Sequence, residues 1–162
     1  MIMDQIVQAK RVAESKSVMT EMVMPNDTNP MGNLMGGNLL RWMDIISSIC
    51  AGKHCENQVA TVSVDNVVFK KPILVGDIIT LEAVVTRSFN TSVEVYVEVY
   101  AANIKGHNYR RCNHAYFTFV ALGSENGKPV AVPGVLPLTD NEIKLFASAP
   151  KRREIRLQLG GK

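Results

Sequence analysis

The chain has 162 residues, 46% of them apolar and 20% charged. That balance describes one folded domain able to bury a core without disulfides or metal, and it excludes a disordered chain. A net charge of +3 with only 6% aromatic residues lacks the basic, aromatic-laced stripe that nucleic-acid binding calls for.

Residues 1–16 read as an N-terminal extension, of which 2–14 are weakly amphipathic and suit a fraying or short helix. Asp4, Lys10, Arg11, Glu14 and Lys16 interrupt this stretch, so it has no apolar region of the kind an export signal needs. No apolar run elsewhere approaches the ~20 residues of a membrane span. Cys50, Cys55 and Cys112 form no CxxC pair and read as reduced thiols. The expectation is a cytoplasmic protein with no membrane insertion.

Residues 18–24 predict a first strand, which Pro25 ends. The stretch from Asn26 to Asn33 is dense in turn-forming residues and reads as an irregular loop. From Gly36-Gly37 to about Lys53 the pattern is helical. Leu39, Met43, Ile46 and Cys50 fall on one line, flanked by Leu40, Trp42, Ile45 and Ile49. The apolar arc is roughly 220° wide, far broader than that of a surface helix, so other elements should wrap it.

Segments 59–69, 78–87, 92–102 and 113–122 each predict a strand. The alternation is strictest from Val93 to Tyr100, where valines face the core and Glu94, Tyr96, Glu98 and Tyr100 face outward. Short connections bearing Pro72, Gly76, Asn90 and Gly106 predict antiparallel hairpins between successive strands. After Pro129, Pro133 and Pro137, a short helix is expected from Thr139, as its N-cap, to about Ala147, followed by a basic end. One α+β domain over 17–156 follows, a curled antiparallel sheet of about five strands around one long helix, with 157–162 as a tail.

Two features of the helix could carry chemistry. Asp44 lies on the edge of the apolar arc, where it is either a solvated charge beside Arg41 or a general base or nucleophile. Gly36-Gly37 either simply starts and packs the helix or leaves bare N–H groups to stabilise an oxyanion. There is no GxSxG elbow, phosphate loop or HExxH, and His54, His107 and His114 are scattered, so no metal is expected. The basic groups Lys70-Lys71, Arg110-Arg111 and Lys151-Arg152-Arg153 are solvated charge or contacts for an anionic, phosphate-bearing ligand.

The run from Asn26 to Gly37, followed by Trp42-Met43-Asp44, closely resembles the loop and helix of hotdog-fold acyl-CoA thioesterases, the acyl-CoA hydrolase group with the brain-type enzyme and its small bacterial relatives. The resemblance continues through Val64–Asp77, Asn90–Val95, Phe117–Leu122 and the Ala149–Arg153 end, and covers about residues 17–156. It implies the hotdog fold and hydrolysis of acyl-CoA, with coenzyme A arriving as part of the substrate and no separate cofactor. It implies dimers joined edge to edge with shared active sites, often assembled as a trimer of dimers. By the same resemblance Asn29 and Asp44 take the catalytic positions, one from each subunit, and the helix start at Gly36 and Gly37 holds the thioester oxygen. Lys70, Thr91, Ser92 and Arg153 fall where coenzyme A would lie. The competing readings are a hotdog dehydratase or hydratase, for which no histidine precedes Asp44 in the loop and helix, and a non-catalytic acyl-CoA sensor, for which the carboxylate would be superfluous.

Overall fold

In the computed structural model, which describes residues 8–160, a five-stranded antiparallel sheet curls around the helix α2 (Gly36–Cys55). The chain enters through β1 (Lys10–Arg11) and the single turn α1 (Val12–Ser15), then β2 (Ser17–Met22) and a 3-10 turn at Pro25–Asp27. After α2 come β3 (Gln58–Phe69), β4 (Ile78–Ser88), β5 (Ser92–Ala102), β6 (Arg110–Leu122), β7 (Val135–Leu136) and α3 (Asp140–Leu159). Part of the predicted N-terminal helix, residues 2–7, lies outside the described residues. Within them, Lys10–Arg11 pairs in parallel with β7.

The main sheet runs β2-β4-β5-β6-β3 and stays open, with β2 and β3 as its edges. Alternation places Ile79, Leu81, Ala83 and Val85 of β4 and all four β5 valines on the concave face, where none is exposed. Leu39, Met43, Ile46 and Cys50 of α2 meet them there, along the line that the helical period predicts. This is the hotdog architecture.

The structure corrects four expectations. First, β3 and β4 do not form a hairpin: β3 pairs with β6, and β4 with β2 and β5. A short connection limits only how far apart two strand ends lie. Segment 70–77, at ~3.3 Å per residue, reaches roughly 26 Å, ample for three strand spacings of about 4.8 Å. It crosses the start of α2, to whose preceding loop it is tied by Leu34 N–H to the Ile73 carbonyl at 2.7 Å and Val75 N–H to the Gly32 carbonyl at 3.1 Å.

Second, the wrapping of α2 is incomplete. Ile49 is 44% exposed and Leu40 and Ile45 are half-buried, because the sheet does not close. Third, Glu94 does not face water. It is fully buried beneath α3, where Arg152 donates from Nε at 3.1 and 3.2 Å and from Nη2 at 2.7 Å, and Thr86 Oγ1 donates at 2.6 Å.

Fourth, the C-terminal helix does not stop near Ala147. Thr139 caps it as expected, with Glu142 closing a reciprocal box, but it continues through Pro150 to Leu159. A proline inside a helix removes one hydrogen bond and crowds the preceding turn. Anchors beyond it hold the later turns down: Arg152 also stacks 4.1 Å above the Tyr116 ring, and Arg156 Nη1 donates to Asp65 Oδ2 at 2.6 Å.

Candidate active site

Asn29 organises the loop before α2. Its Oδ1 accepts from the Met31 N–H at 3.0 Å and the Asn33 N–H at 3.1 Å, and its own N–H donates to the Asn33 carbonyl at 2.8 Å. Gly32, at φ +76°, supplies the left-handed residue that this tight turn needs. These bonds engage the amide oxygen inside the loop and leave Nδ2 to donate elsewhere. The loop is held in turn by Met35 N–H to the Asp27 carbonyl at 2.9 Å and by Asn38 Nδ2 to the same oxygen at 3.1 Å.

Helix α2 then starts without a side-chain cap, because Met35 occupies the N-cap position. The N–H groups of its first turn have no partner within the helix, and the helix dipole adds partial positive charge at that point. The two glycines differ in their surroundings. A Cβ on Gly36 would lie 3.2 Å from the Phe69 ring, whereas one on Gly37 would meet nothing within 4 Å. Close packing therefore accounts for Gly36, and Gly37 keeps its backbone approachable.

Asp44 is half-buried, two turns into α2, and is not the freely solvated charge that a polar helix edge would give. Thr61 Oγ1 on β3 donates to Asp44 Oδ1 at 2.8 Å, which fixes one carboxylate oxygen, and the other has no hydrogen-bond donor among the described side chains. Thr61 is absent from the residues that the sequence singles out. Its signal is topological: β3 runs back along α2, and Thr61 is the hydroxyl that comes level with Asp44. Among the described residues no hydrogen bond joins Asn29 to Asp44 within one chain.

The four residues expected near coenzyme A do not form one cluster in a single chain. Ser92 and Arg153 line a cleft of about 360 Å³ with Arg156 on the outer face of the sheet, and Arg153 lies 4.9 Å from the Phe89 ring centroid. Thr91 sits in the neighbouring β4–β5 turn, where its carbonyl accepts from the Ala121 N–H at 3.0 Å. Lys70 lines a separate cleft of about 220 Å³ beside the start of α2.

The other candidate nucleophiles are muted. Burial pushes the Cys50 thiol up to about 12 and the Cys55 thiol up to about 11, so neither supplies a thiolate near neutral pH. His54 is fully buried with Nε2 2.9 Å from the Pro133 carbonyl, and desolvation lowers its pKa. It ties the end of α2 to the segment before β7. Among the described residues, no group of three or more metal-ligating side chains converges.

The thioesterase superfamily profile matches residues 31–106. Over 143 residues the chain is 43% identical to an uncharacterized acyl-CoA thioester hydrolase of Bacillus subtilis, YkhA, covering 88% of this chain and 83% of that one. This chain belongs to the acyl-CoA thioester hydrolase family. Solved structures of this family superimpose closely. The acyl-CoA hydrolase of Staphylococcus aureus, in complex with butyryl coenzyme A and coenzyme A, is 40% identical with a TM-score of 0.86, covering 91% of this chain and 90% of that one. An apo-hexameric acyl-CoA thioesterase is 38% identical with a TM-score of 0.91, covering 96% and 99%. Further structures of the Staphylococcus aureus hydrolase carry alanine in place of one aspartate, one asparagine or one threonine.

Proposed function

We propose that this acyl-CoA hydrolase family member cleaves acyl-CoA to the free acid and coenzyme A, with Asp44 as general base or nucleophile. The observation that carries the reading is the Thr61–Asp44 hydrogen bond, which presents a half-buried carboxylate in one orientation at the edge of the apolar face of α2. The three alanine positions of the Staphylococcus aureus hydrolase each fall one number below Asn29, Asp44 and Thr61, which supports grouping these three.

As general base, Asp44 takes a proton from water while the oxygen of that water attacks the thioester carbon. Negative charge then develops on the carbonyl oxygen, and the exposed Gly37 N–H with the positive end of α2 stabilises it. Collapse breaks the carbon–sulfur bond and releases the thiolate, which needs little acid assistance because an ordinary thiol has a pKa of about 8.5. As nucleophile, Asp44 attacks directly and water cleaves the resulting anhydride; the products are the same. Asn29 orients the water or the carbonyl through its free Nδ2.

The active form is a dimer with shared sites, Asn29 coming from the partner subunit. The support is the outer edge of β3, a strand of 12 residues, which is unpaired among the described residues. Val62, Val64, Val68 and Phe69 are exposed along it, next to the uncovered Ile49 of α2. A long apolar edge strand is an aggregation template unless another strand covers it. A trimer of such dimers agrees with the hexameric relative. Ser92 and Arg153 would take the phosphates of coenzyme A on the outer face, with Thr91 beside them and Lys70 near the arm that leads to the thioester. The buried free cysteines fit a reducing compartment, the cytoplasm.

Thiol release from a panel of acyl-CoAs of two to eighteen carbons tests the reading. Native protein should turn over at least one chain length, and Asp44→Ala should lose about a hundredfold or more in kcat with the oligomer intact by light scattering. Tight binding of acyl-CoA without turnover of any of them would instead make the protein an acyl-CoA sensor.

A further inference from the structure

The cleft of about 220 Å³ beside the start of α2 has a polar group that the proposed chemistry leaves unused. One side of it is apolar, built by Leu34 from the loop, Leu39 from α2, Phe69 from the end of β3 and Ile73 from the crossing segment, while Asn33, Lys70 and Lys71 line the rest. Among them stands Asn113 of β6, which is 1% exposed. Neither Nδ2 nor Oδ1 of Asn113 has a hydrogen-bond partner among the described residues.

Register explains how Asn113 comes to lie there. Ala115, Phe117, Phe119 and Ala121 of β6 face the core and are buried, and Asn113 continues that inward row beyond Ala115. An apolar residue would complete the row without cost. A buried carboxamide with both ends unpaired is instead a standing penalty in the protein alone, which a ligand with a donor and an acceptor relieves.

The cleft adjoins the proposed reaction centre through two contacts. Asn33, which lines it, is hydrogen-bonded to Asn29, and the Phe69 ring packs on Gly36 at the helix start. A thioester held at that helix start has its acyl group within reach of the cleft. Lys70 and Lys71 stand at the rim, where the coenzyme A arm would meet the thioester, and they disfavour a cationic substituent on an acyl group inside.

We propose that Asn113 is a specificity-determining residue that makes this cleft favour acyl groups bearing a hydroxyl over saturated chains of the same length. The inference rests on the thioesterase reading and names the substrate class of that site. A saturated chain entering the cleft leaves the carboxamide unpaired in an apolar setting. A hydroxyl on the chain donates to Oδ1 and accepts from Nδ2. A site built to hydrogen-bond a substituent discriminates strongly against the analogue that lacks it, and a preference of about tenfold or more is expected here.

The test compares kcat/KM for 3-hydroxybutyryl-CoA and butyryl-CoA in the native protein, Asn113→Leu and Asn113→Ser. The native ratio should favour the hydroxylated substrate by about tenfold, Asn113→Leu should bring it to unity or below, and Asn113→Ser should retain part of it. Both substrates are compared within each variant, so a change in overall rate leaves the ratio readable and separates lost selectivity from lost catalysis. A ratio unchanged by Asn113→Leu, or a native ratio near unity, overturns the proposal and leaves the thioesterase reading standing. If no acyl-CoA is turned over at all, the thioesterase reading fails. The relative thermal stabilisation of native and variant protein by the two acyl-CoAs then reads the same selectivity without turnover. Equal stabilisation by both overturns it. Should Asn113→Leu not fold, the Asn113→Ser ratio decides by the same criterion.

Discussion

Replacing Thr61 by valine keeps the shape of the side chain and deletes the one donor to the Asp44 side chain among the described residues, a contact of 2.8 Å. Hydrogen bonds to charged groups contribute about 1.5–3 kcal/mol, and each ~1.36 kcal/mol of barrier is tenfold in rate. If the carboxylate depends on this bond for its orientation in the transition state, kcat should fall roughly 10- to 150-fold. KM should move little, because Thr61 acts through Asp44 and does not itself hold substrate. The same bond contributes to folding, so the melting temperature should fall by no more than roughly 3–12 °C. The assay is initial-rate thiol release at saturating acyl-CoA, with oligomer size followed in parallel and Thr61→Ser, which restores the hydroxyl, as the rescue. Turnover of Thr61→Val within about threefold of native, in an intact oligomer, would refute the assignment of Thr61 as the residue that positions the base.

Two further outcomes follow from buried charge. Arg152→Ala strips Glu94 of its closest cationic partner and leaves Thr86 Oγ1 at 2.6 Å and Arg156 at 3.7 Å. Breaking a buried pair from one side costs about 3 kcal/mol or more, which for a chain of this size lowers the melting temperature by roughly 6–12 °C. The double variant Glu94→Leu/Arg152→Leu should recover most of that loss, and a single-variant shift under about 2 °C would contradict the account. His54 predicts a pH effect on stability. Its pKa is lowered in the folded protein, so below about pH 6.5 the unfolded chain takes up protons that the native state refuses, and stability falls as pH falls. Thermal melts from pH 7.5 to 5 should show a shallower decline for His54→Gln than for native protein; parallel declines would exclude His54 as a source of the acid sensitivity.

The elements were legible where a single periodicity governs a segment. One helical line places Leu39, Met43, Ile46 and Cys50, and one alternation places the β5 valines, and each set is buried as its period requires. Contacts between distant segments were less legible. Glu94 reads as a solvent-facing residue because alternation reports only which face a residue occupies, and α3 covers that face from some sixty positions away. Pro150 suggests an early stop because helix propensity is local, whereas the arginine anchors that hold the last turns are tertiary. The pairing of β3 with β6 depends on the crossing segment 70–77, which turn residues alone do not direct. At the candidate site, Asp44 and the glycines stand out as exceptions to a helical pattern. Thr61 breaks no pattern, since a threonine in a strand is ordinary, and only the antiparallel return of β3 along α2 gives it meaning. Asn113 is not singled out by the sequence, and its weight comes from the two polar atoms that the fold leaves unpaired among the described residues.

The way α3 is fastened has a consequence for how the chain is made. Glu94 belongs to a middle strand and its counter-charges, Arg152 and Arg156, belong to the closing helix, so synthesis delivers the carboxylate well before anything can neutralise it. Until those two arginines emerge, β5 must hold its valine face inward while its outer face keeps water around a charge. The outer surface is therefore the last part of the domain to dry. A chain shortened before Arg152 would lose more than the last turns of α3: it would be left in the half-hydrated condition of its own unfinished synthesis.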